Sequence, residues 1–293
     1  MGKSLSVYIR MNHARTRYLE SKRSVDQTAL SEVVRTSFVD AVPSNPSIVE
    51  VGCGTGVTVP RLFEWGISDA AYKGIDQSQT LIDFAEDVRP RELANQGHSV
   101  AETDDGFSVG PFEAQFDRGE VPAALADEQN HDVVMAQAFL DLVSIEQFFT
   151  AAVEALTPGG LIYAPITFDG ATMFYPSHPG DHAVEKGFHQ KMGSTDDQAV
   201  TAGRESIEVC RRLNGTLRAV RSSDWIVRPD GGGYPRDEAF FLSCILGFIE
   251  QSVESLDGPH RLDEWLQTRR RQLDNADLMY VAHQFDILYQ REE

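Results

Sequence analysis

An apolar run, Ile48 to Val51, stops at three glycines, Gly52, Gly54 and Gly56, and a helix-like pattern from Val57 to Trp65 follows at once. That order spells a buried strand, a tight turn and a helix start. Glycines in such a turn let backbone come close to a nucleotide-like ligand. Two details narrow the ligand. The dinucleotide fingerprint G-x-G-x-x-G would put its third glycine where Val57 stands; here it comes one residue early, at Gly56. Glu50, two residues before Gly52, would repel a pyrophosphate and attract a ligand bearing an ammonium group.

With these residues the segment resembles motif I (E/D-x-G-x-G-x-G) of the class I S-adenosylmethionine-dependent methyltransferases. The resemblance implies that Glu50 helps hold the methionine amino group of S-adenosylmethionine, and that Gly52, Gly54 and Gly56 admit the cofactor to the backbone. Ala71 to Asp76 reads as a second strand ending in an acid, about 24 residues past Gly52. An acid there accepts hydrogen bonds from ribose hydroxyls in doubly wound folds; a helix N-cap is the competing reading of Asp76. Phe112 to Asp117 alternates as a third strand. The resemblance places Asp117 at the adenine amino group, against a plain strand-end turn.

His131 to Gln137 is a fourth strand in the position of the family's motif IV, which adds Gln137 to the cofactor set. The residues that follow, Ala138-Phe139-Leu140-Asp141-Leu142, are not the N-P-P-Y or D-P-P-Y pattern associated with nitrogen methylation. A capping box, Ser144-Ile145-Glu146-Gln147, opens the next helix. It ends at Leu156-Thr157-Pro158-Gly159-Gly160, and Leu161 to Phe168 forms a fifth strand. This L-x-P-G-G step is a further feature of the family. The resemblance is strongest over 47–168.

Elsewhere the pattern supplies outlines. Ser24 to Gln27 reads as a capping box for one helix over 25–42, ended by Pro43 and Pro46. Residues 90–111 look like loop. A helix is expected over 196–213, a sixth strand over 217–227, and helices over 237–255 and 262–273. Met279, Val281, His283, Phe285, Ile287 and Tyr289 alternate as a last strand. His283, Trp225 and Trp265 read as core.

The expected fold is an α/β, Rossmann-like three-layer sandwich with a seven-stranded, mostly parallel sheet and an antiparallel last strand. We read 1–293 as one methyltransferase domain. It divides into an N-terminal helical cap (1–45), a cofactor core (46–168), lid insertions (169–195 and 229–276) and the last strand (277–293).

Methyl transfer needs alignment and exclusion of water more than a fixed catalytic group. A base matters only when the acceptor carries a weakly acidic proton. Acceptor residues are sought after the fourth and fifth strands. Asp141 stands after the fourth. The stretch Phe168 to His182 holds Tyr175, His178, Asp181 and His182, with His189 beyond. One reading makes His178 or His182 a base oriented by Asp181, with Tyr175 and His189 lining the site. A second is a metal site, but Pro179-Gly180 breaks the helix that H-x-x-D-H ligation needs, so no metal is expected. A third is a structural or merely lining role.

Charge sets further bounds. The chain carries 45 acids against 26 bases, a net −19, and only five of the bases are lysines. Such a surface suits molar salt, where screening is strong; an ordinary acidic protein is the alternative. It argues against a nucleic-acid substrate, which would need clustered bases. Residues 1–24 reverse the sign, with Lys3, Arg10, Arg15, Arg17, Lys22 and Arg23 against Glu20 alone. They read as a basic arm that helps close the site over an anionic ligand, a solvated segment or a transit peptide. Three scattered cysteines suit a reducing compartment. No apolar run is long enough to span a membrane. The reading is therefore a cytoplasmic enzyme acting on a small molecule, with a homo-oligomer compatible. A cofactor-binding scaffold protein and a nicotinamide-dependent oxidoreductase are the rivals.

Overall fold

The computed structural model describes residues 16–193, 200–253 and 261–293. In chain order the elements begin with helices α1 (Thr16–Ala29) and α2 (Glu32–Ala41), strand β1 (Ser47–Val51), helix α3 (Thr58–Glu64), strand β2 (Ala71–Asp76) and helix α4 (Gln79–Asn95). Strands β3 (Val100–Thr103), β4 (Gly106–Val109) and β5 (Phe112–Arg118), the short helix α5 (Ala123–Ala126), strand β6 (His131–Met135) and helix α6 (Ile145–Ala155) follow. Then come β7 (Leu156–Tyr175), α7 (Asp181–Met192), α8 (Ala202–Arg212), β8 (Gly215–Ser222), β9 (Trp225–Val227), α9 (Glu238–Ser252), α10 (Leu262–Asp274) and β10 (Met279–Arg291).

One mixed sheet runs β3-β4-β5-β2-β1-β6-β7-β10-β8, with β9 also on β10. The strands β5, β2, β1, β6 and β7 are mutually parallel, and β10 lies antiparallel to β7 and β8. Successive residues of β1 face opposite sides of the sheet: Ile48 packs into one core, Val49 and Val51 into the other. The chain steps outward from β1 to β2 and β5, then returns to β6 on the other side of β1. That reversal opens a crevice at the carboxyl ends of β1 and β6, where open α/β sheets bind ligands. A third apolar cluster joins α1, α7, α9, α10 and the far half of β10. It holds the two insertions over this crevice.

The expected seven strands are all present, in an α/β sandwich with an antiparallel last strand. The sheet has ten because the presumed loop 90–111 carries the β3–β4 hairpin, and because the expected sixth strand is split into β8 and β9. Helix α4 also runs through Pro90. Burial of Arg89 and Leu93 on either side of the proline holds the helix despite its missing N–H.

The single helix expected over 25–42 is two. Ser24 lies buried inside α1 and caps nothing, whereas Ser31 opens α2 and accepts from Val34 N. Strand β7 is far longer than the expected 161–168. It bends at a bulge, where Pro165 and Ile166 oppose only Asp286. Ile166 there takes φ 59° and donates its N–H to buried Asp286 Oδ1 at 2.8 Å. Part of the helix expected over 196–213, the end of that over 237–255 and Lys3, Arg10 and Arg15 of the basic arm lie outside the described residues.

Candidate functional site

Beneath the insertions a cavity of about 460 Å³ opens from the crevice. Its inner half is walled by Gly52 and Gly54 after β1, by Asp76, Gln77 and Leu81 after β2, and by Gly119 to Ala123 after β5. Ala138 and Phe139 come from the end of β6. Gly52 takes φ +65°, and a Cβ there would sit 2.1 Å from the Phe139 ring. Only glycine therefore fits beneath that ring. Ala138, at φ 49°, and Ile166 both line the cavity in a backbone region side chains disfavour. Such strain gathers where strand ends are bent to shape a site.

Asp76 is held rigidly. Its two carboxylate oxygens accept from Gly54 N at 3.0 Å and Ser78 N at 2.9 Å. A carboxylate has further lone pairs, so Asp76 can still accept from a diol lying in the cavity. Burial pushes its carboxyl above the ordinary range. Gly56 is not on the wall; a Cβ there would sit 2.9 Å from the Phe116 ring on β5 and 3.0 Å from Ala85 on α4.

Glu50 lies under the turn and not on the cavity wall. It is 2% exposed, and Thr58 Oγ1 and the Tyr72 hydroxyl donate to its two oxygens at 2.8 and 2.5 Å. Burial raises its carboxyl to about 7, against the lowering effect of those two hydrogen bonds and of Arg61. Gln137 is also buried and off the wall, accepting from Arg61 Nη1 at 2.6 Å. Asp117 is off the cavity wall and pairs with Lys73 at 3.0 Å. Gly119 and Glu120, just beyond it, line the cavity in its place.

The outer half is an aromatic chamber. Tyr18, Phe168, Phe188, Trp225, Phe248 and Tyr280 face it, from elements far apart in sequence. Ile245, Met192 and Ala282 complete the apolar wall, and Gln147, Gln251, Gln284 and Thr172 add neutral polar groups. Lys22 is the lysine on the wall; its ammonium lies 3.6 Å from Asp26 and 5.3 Å from the centre of the Trp225 ring. Asp141 lines the junction of the two halves, with its carboxyl raised by burial.

The histidines divide differently from the expectation. His178 Nδ1 accepts from Gly180 N at 3.0 Å, within a turn, and His182 is exposed on α7. Asp181 accepts from His178 N at 2.7 Å, from Trp265 Nε1 at 2.8 Å and from Arg269. It ties the two insertions together and does not orient a histidine ring. Tyr175 is 45% exposed. None of these four lies on the cavity wall, because β7 carries the chain past the site before α7 begins. His189 stands one layer behind the wall, its Nε2 2.9 Å from Thr172 Oγ1.

Residues the sequence did not single out for the site include Tyr18 and Leu19 on α1. Phe139, Glu120 and Tyr280 were also missed as wall residues. For Phe139 and Glu120 a signal existed, since both follow strands flanking the reversal point. For Tyr280 none did; it reaches the wall only through the pairing of β10 with the 20-residue β7.

Residues 49–164 match the family described as "Methyltransferase domain". No curated protein sequence matches the chain significantly. Among solved structures, it is similar at 12% identity to a candidate sarcosine dimethylglycine methyltransferase from Galdieria sulphuraria. That alignment covers 92% of this chain and 86% of the other, with a TM-score of 0.46. Geranyl diphosphate C-methyltransferase from Streptomyces coelicolor A3(2) aligns at 13% identity over 89% of this chain and 80% of its own, with a TM-score of 0.44. An S-adenosylmethionine-dependent methyltransferase from Methanosarcina mazei aligns at 14% identity over 87% and 97%, with a TM-score of 0.42. The matched segment holds the glycine turn at the reversal of strand order and Asp76 at the end of β2, so residues 49–164 are similar to a methyltransferase domain.

Proposed function

We propose that the chain methylates a small, uncharged, aromatic acceptor held in the outer chamber. The observation that carries this reading is the continuity of one cavity, from the glycine turn to six aromatic side chains on the cap, sheet and insertions. An enclosed, mostly apolar pocket with a few polar groups suits a small molecule. The charge of the wall supports a neutral acceptor. Asp76, Glu120 and Asp141 outnumber Lys22, whose ammonium is already engaged by Asp26.

The residues present fit S-adenosylmethionine. Gly52 and Gly54 leave room at the backbone, Asp76 offers acceptors to the ribose, and the acidic wall suits a cationic ligand. When bound there, the cofactor supplies a methyl group already activated by its sulfonium. The chain's own part is to hold the acceptor in line, close α1 over the site and exclude water. Glu50 supports the turn from below through Thr58 and Tyr72.

We also read residues 1–45 as a cap and 169–195 and 229–276 as lid segments of one domain. The acid-rich, lysine-poor composition supports a cytoplasmic, salt-adapted protein with no nucleic-acid partner. Among the described residues no helix is long and apolar enough to cross a membrane.

Calorimetric titration with S-adenosylhomocysteine and, separately, NAD tests the cofactor assignment. S-adenosylhomocysteine should bind with one site per chain and NAD should not. Binding of NAD with no response to S-adenosylhomocysteine would overturn the reading.

A further inference from the structure

Ile166 is poorly suited to its own backbone. At φ 59° a β-branched side chain is an outlier, whereas glycine is free. Ile166 is buried, yet among the described residues it joins none of the three apolar clusters. Packing in a core therefore does not offset the strain, and strain of this kind points to a use at a site. Its place on the wall gives the use. Pro165, just before it, accepts from Ala138 N at 3.0 Å, and Ala138 leads into Phe139, whose ring covers Gly52 in the inner half. Phe168, two residues after it, faces the aromatic chamber. Ile166 thus stands on the seam between the two halves of the cavity.

Two side chains of β10 hold it there. Asp286 is fully buried; its Oδ1 accepts from Ile166 N at 2.8 Å and its Oδ2 from Ser31 N, at the start of α2, at 2.7 Å. Gln284 is buried on the wall. With its amide turned so that both ends are satisfied, its nitrogen donates to Ile166 O at 3.0 Å and its oxygen accepts from Trp225 Nε1 at 3.3 Å. The Trp225 N–H also reaches Asp26 on α1, at 2.9 Å. Alternate residues of a strand share one face, so β10 presents both groups to Ile166 together. In the bulge, where Ile166 has no ladder partner, one side chain takes its N–H and the other its carbonyl. Each fastens the seam to the cap or to an aromatic of the chamber.

We propose that Ile166 is a specificity-determining residue, a stop at the seam that keeps the acceptor ring out of the cofactor half, and that Gln284 and Asp286 are the positioning residues that hold it. The proposal rests on the methyltransferase reading above and adds the residue that sets the depth of the acceptor. One continuous cavity needs such a stop. A neutral ring carries no charge to place it, and apolar walls attract it without direction. In-line transfer requires the acceptor atom at a set distance from the methyl group, so shape must fix the depth. A β-branched side chain is stiff about χ1. That suits isoleucine to a stop better than a flexible leucine or methionine, and better than the glycine its backbone would favour.

The test uses naphthalene as a neutral aromatic probe and S-adenosylhomocysteine as the cofactor probe, both followed by calorimetry. In the wild type the two should bind side by side, neither weakening the other. In Ile166→Gly, which keeps the backbone turn and removes the side chain, naphthalene at about ten times its Kd should weaken S-adenosylhomocysteine ~tenfold by competition. Independent binding in folded Ile166→Gly would overturn the stop, as would competition already present in the wild type. Gln284→Met keeps the volume and loses both bonds, so it should introduce the same competition. Added to Ile166→Gly it should change nothing further, because glycine holds that backbone unaided. A glutamine that only stabilises the fold would lower the melting temperature and leave binding independent, which would overturn its positioning role. A wild type that binds S-adenosylhomocysteine but not naphthalene would sink the aromatic-acceptor reading and the stop with it. A wild type that does not bind S-adenosylhomocysteine would instead sink the methyltransferase reading. Melting temperatures establish that each variant is folded; if Ile166→Gly does not fold, Ile166→Ala decides.

Discussion

Glu50 shows how a motif residue can serve the site without touching the ligand space. Its carboxyl sits under the glycine turn, and its protonation is coupled to folding. The folded-state value of about 7 lies above the reference of 4.5. The folded chain therefore binds this proton more tightly than the unfolded chain, and stability from this group falls as pH rises from 4.5 to about 7. Above that window the cost is fully present, on the order of 3 kcal/mol. Glu50→Gln removes the charge and keeps groups able to bond Thr58 and Tyr72. We predict that it raises the melting temperature at pH 8 and leaves it nearly unchanged at pH 4, as scanning calorimetry at about these two pH values would show. A variant that is less stable at both pH values would contradict the account.

Among the elements, α1 depends most on distant partners. Arg89 on α4 is fully buried and donates to the Thr55 carbonyl in the glycine turn at 2.8 Å, to Glu20 on α1 at 2.5 Å and to Glu92. Arg23 on α1 returns to Glu92 at 2.5 Å. At its other end α1 is held by paired bonds from Arg17 to Asp237, which precedes α9, each 2.7 Å long. The exposed Arg17 pair adds little, whereas the Arg89 guanidinium is buried beside carboxylates that are 25% and 20% exposed. Removing it takes a donor from the Thr55 carbonyl and from Glu20, at a cost of roughly 1–3 kcal/mol. Arg89→Met should therefore destabilise the protein and loosen α1 first. Hydrogen exchange should speed up across 16–29 while β1 and β6 stay protected. Uniform loss of protection would argue against α1 as a separately held cover.

At the scale of the whole molecule, charge is the dominant feature. A net −19 concentrates repulsion between carboxylates on a folded surface more than on an extended chain. Salt shortens the reach of that repulsion to ~3 Å at 1 M. The melting temperature should therefore climb as potassium chloride is raised towards molar levels. A highest value in dilute buffer would show that specific ion pairs outweigh the general field.

What the sequence alone determined is local. Ile48 to Gly56, Ala71 to Asp76 and His131 to Met135 were legible because period, turn chemistry and strand length are written in neighbouring residues. They sufficed for the parallel core and its order of elements. Where long-range pairing acts, the same signals misled. Pro90 read as a helix end, and β7 read as a short strand, because the contacts that extend them come from α1 and β10. The acceptor chamber was the least legible part. The stretch richest in chemical side chains, Tyr175 to His182, stands outside it, and Tyr18, Thr172, Trp225 and Tyr280 converge on it from four separate segments. Proximity in space between residues over a hundred positions apart is set by sheet register and helix packing. Only the tertiary structure could decide that His189, and not His178 or His182, stands behind the wall of the site.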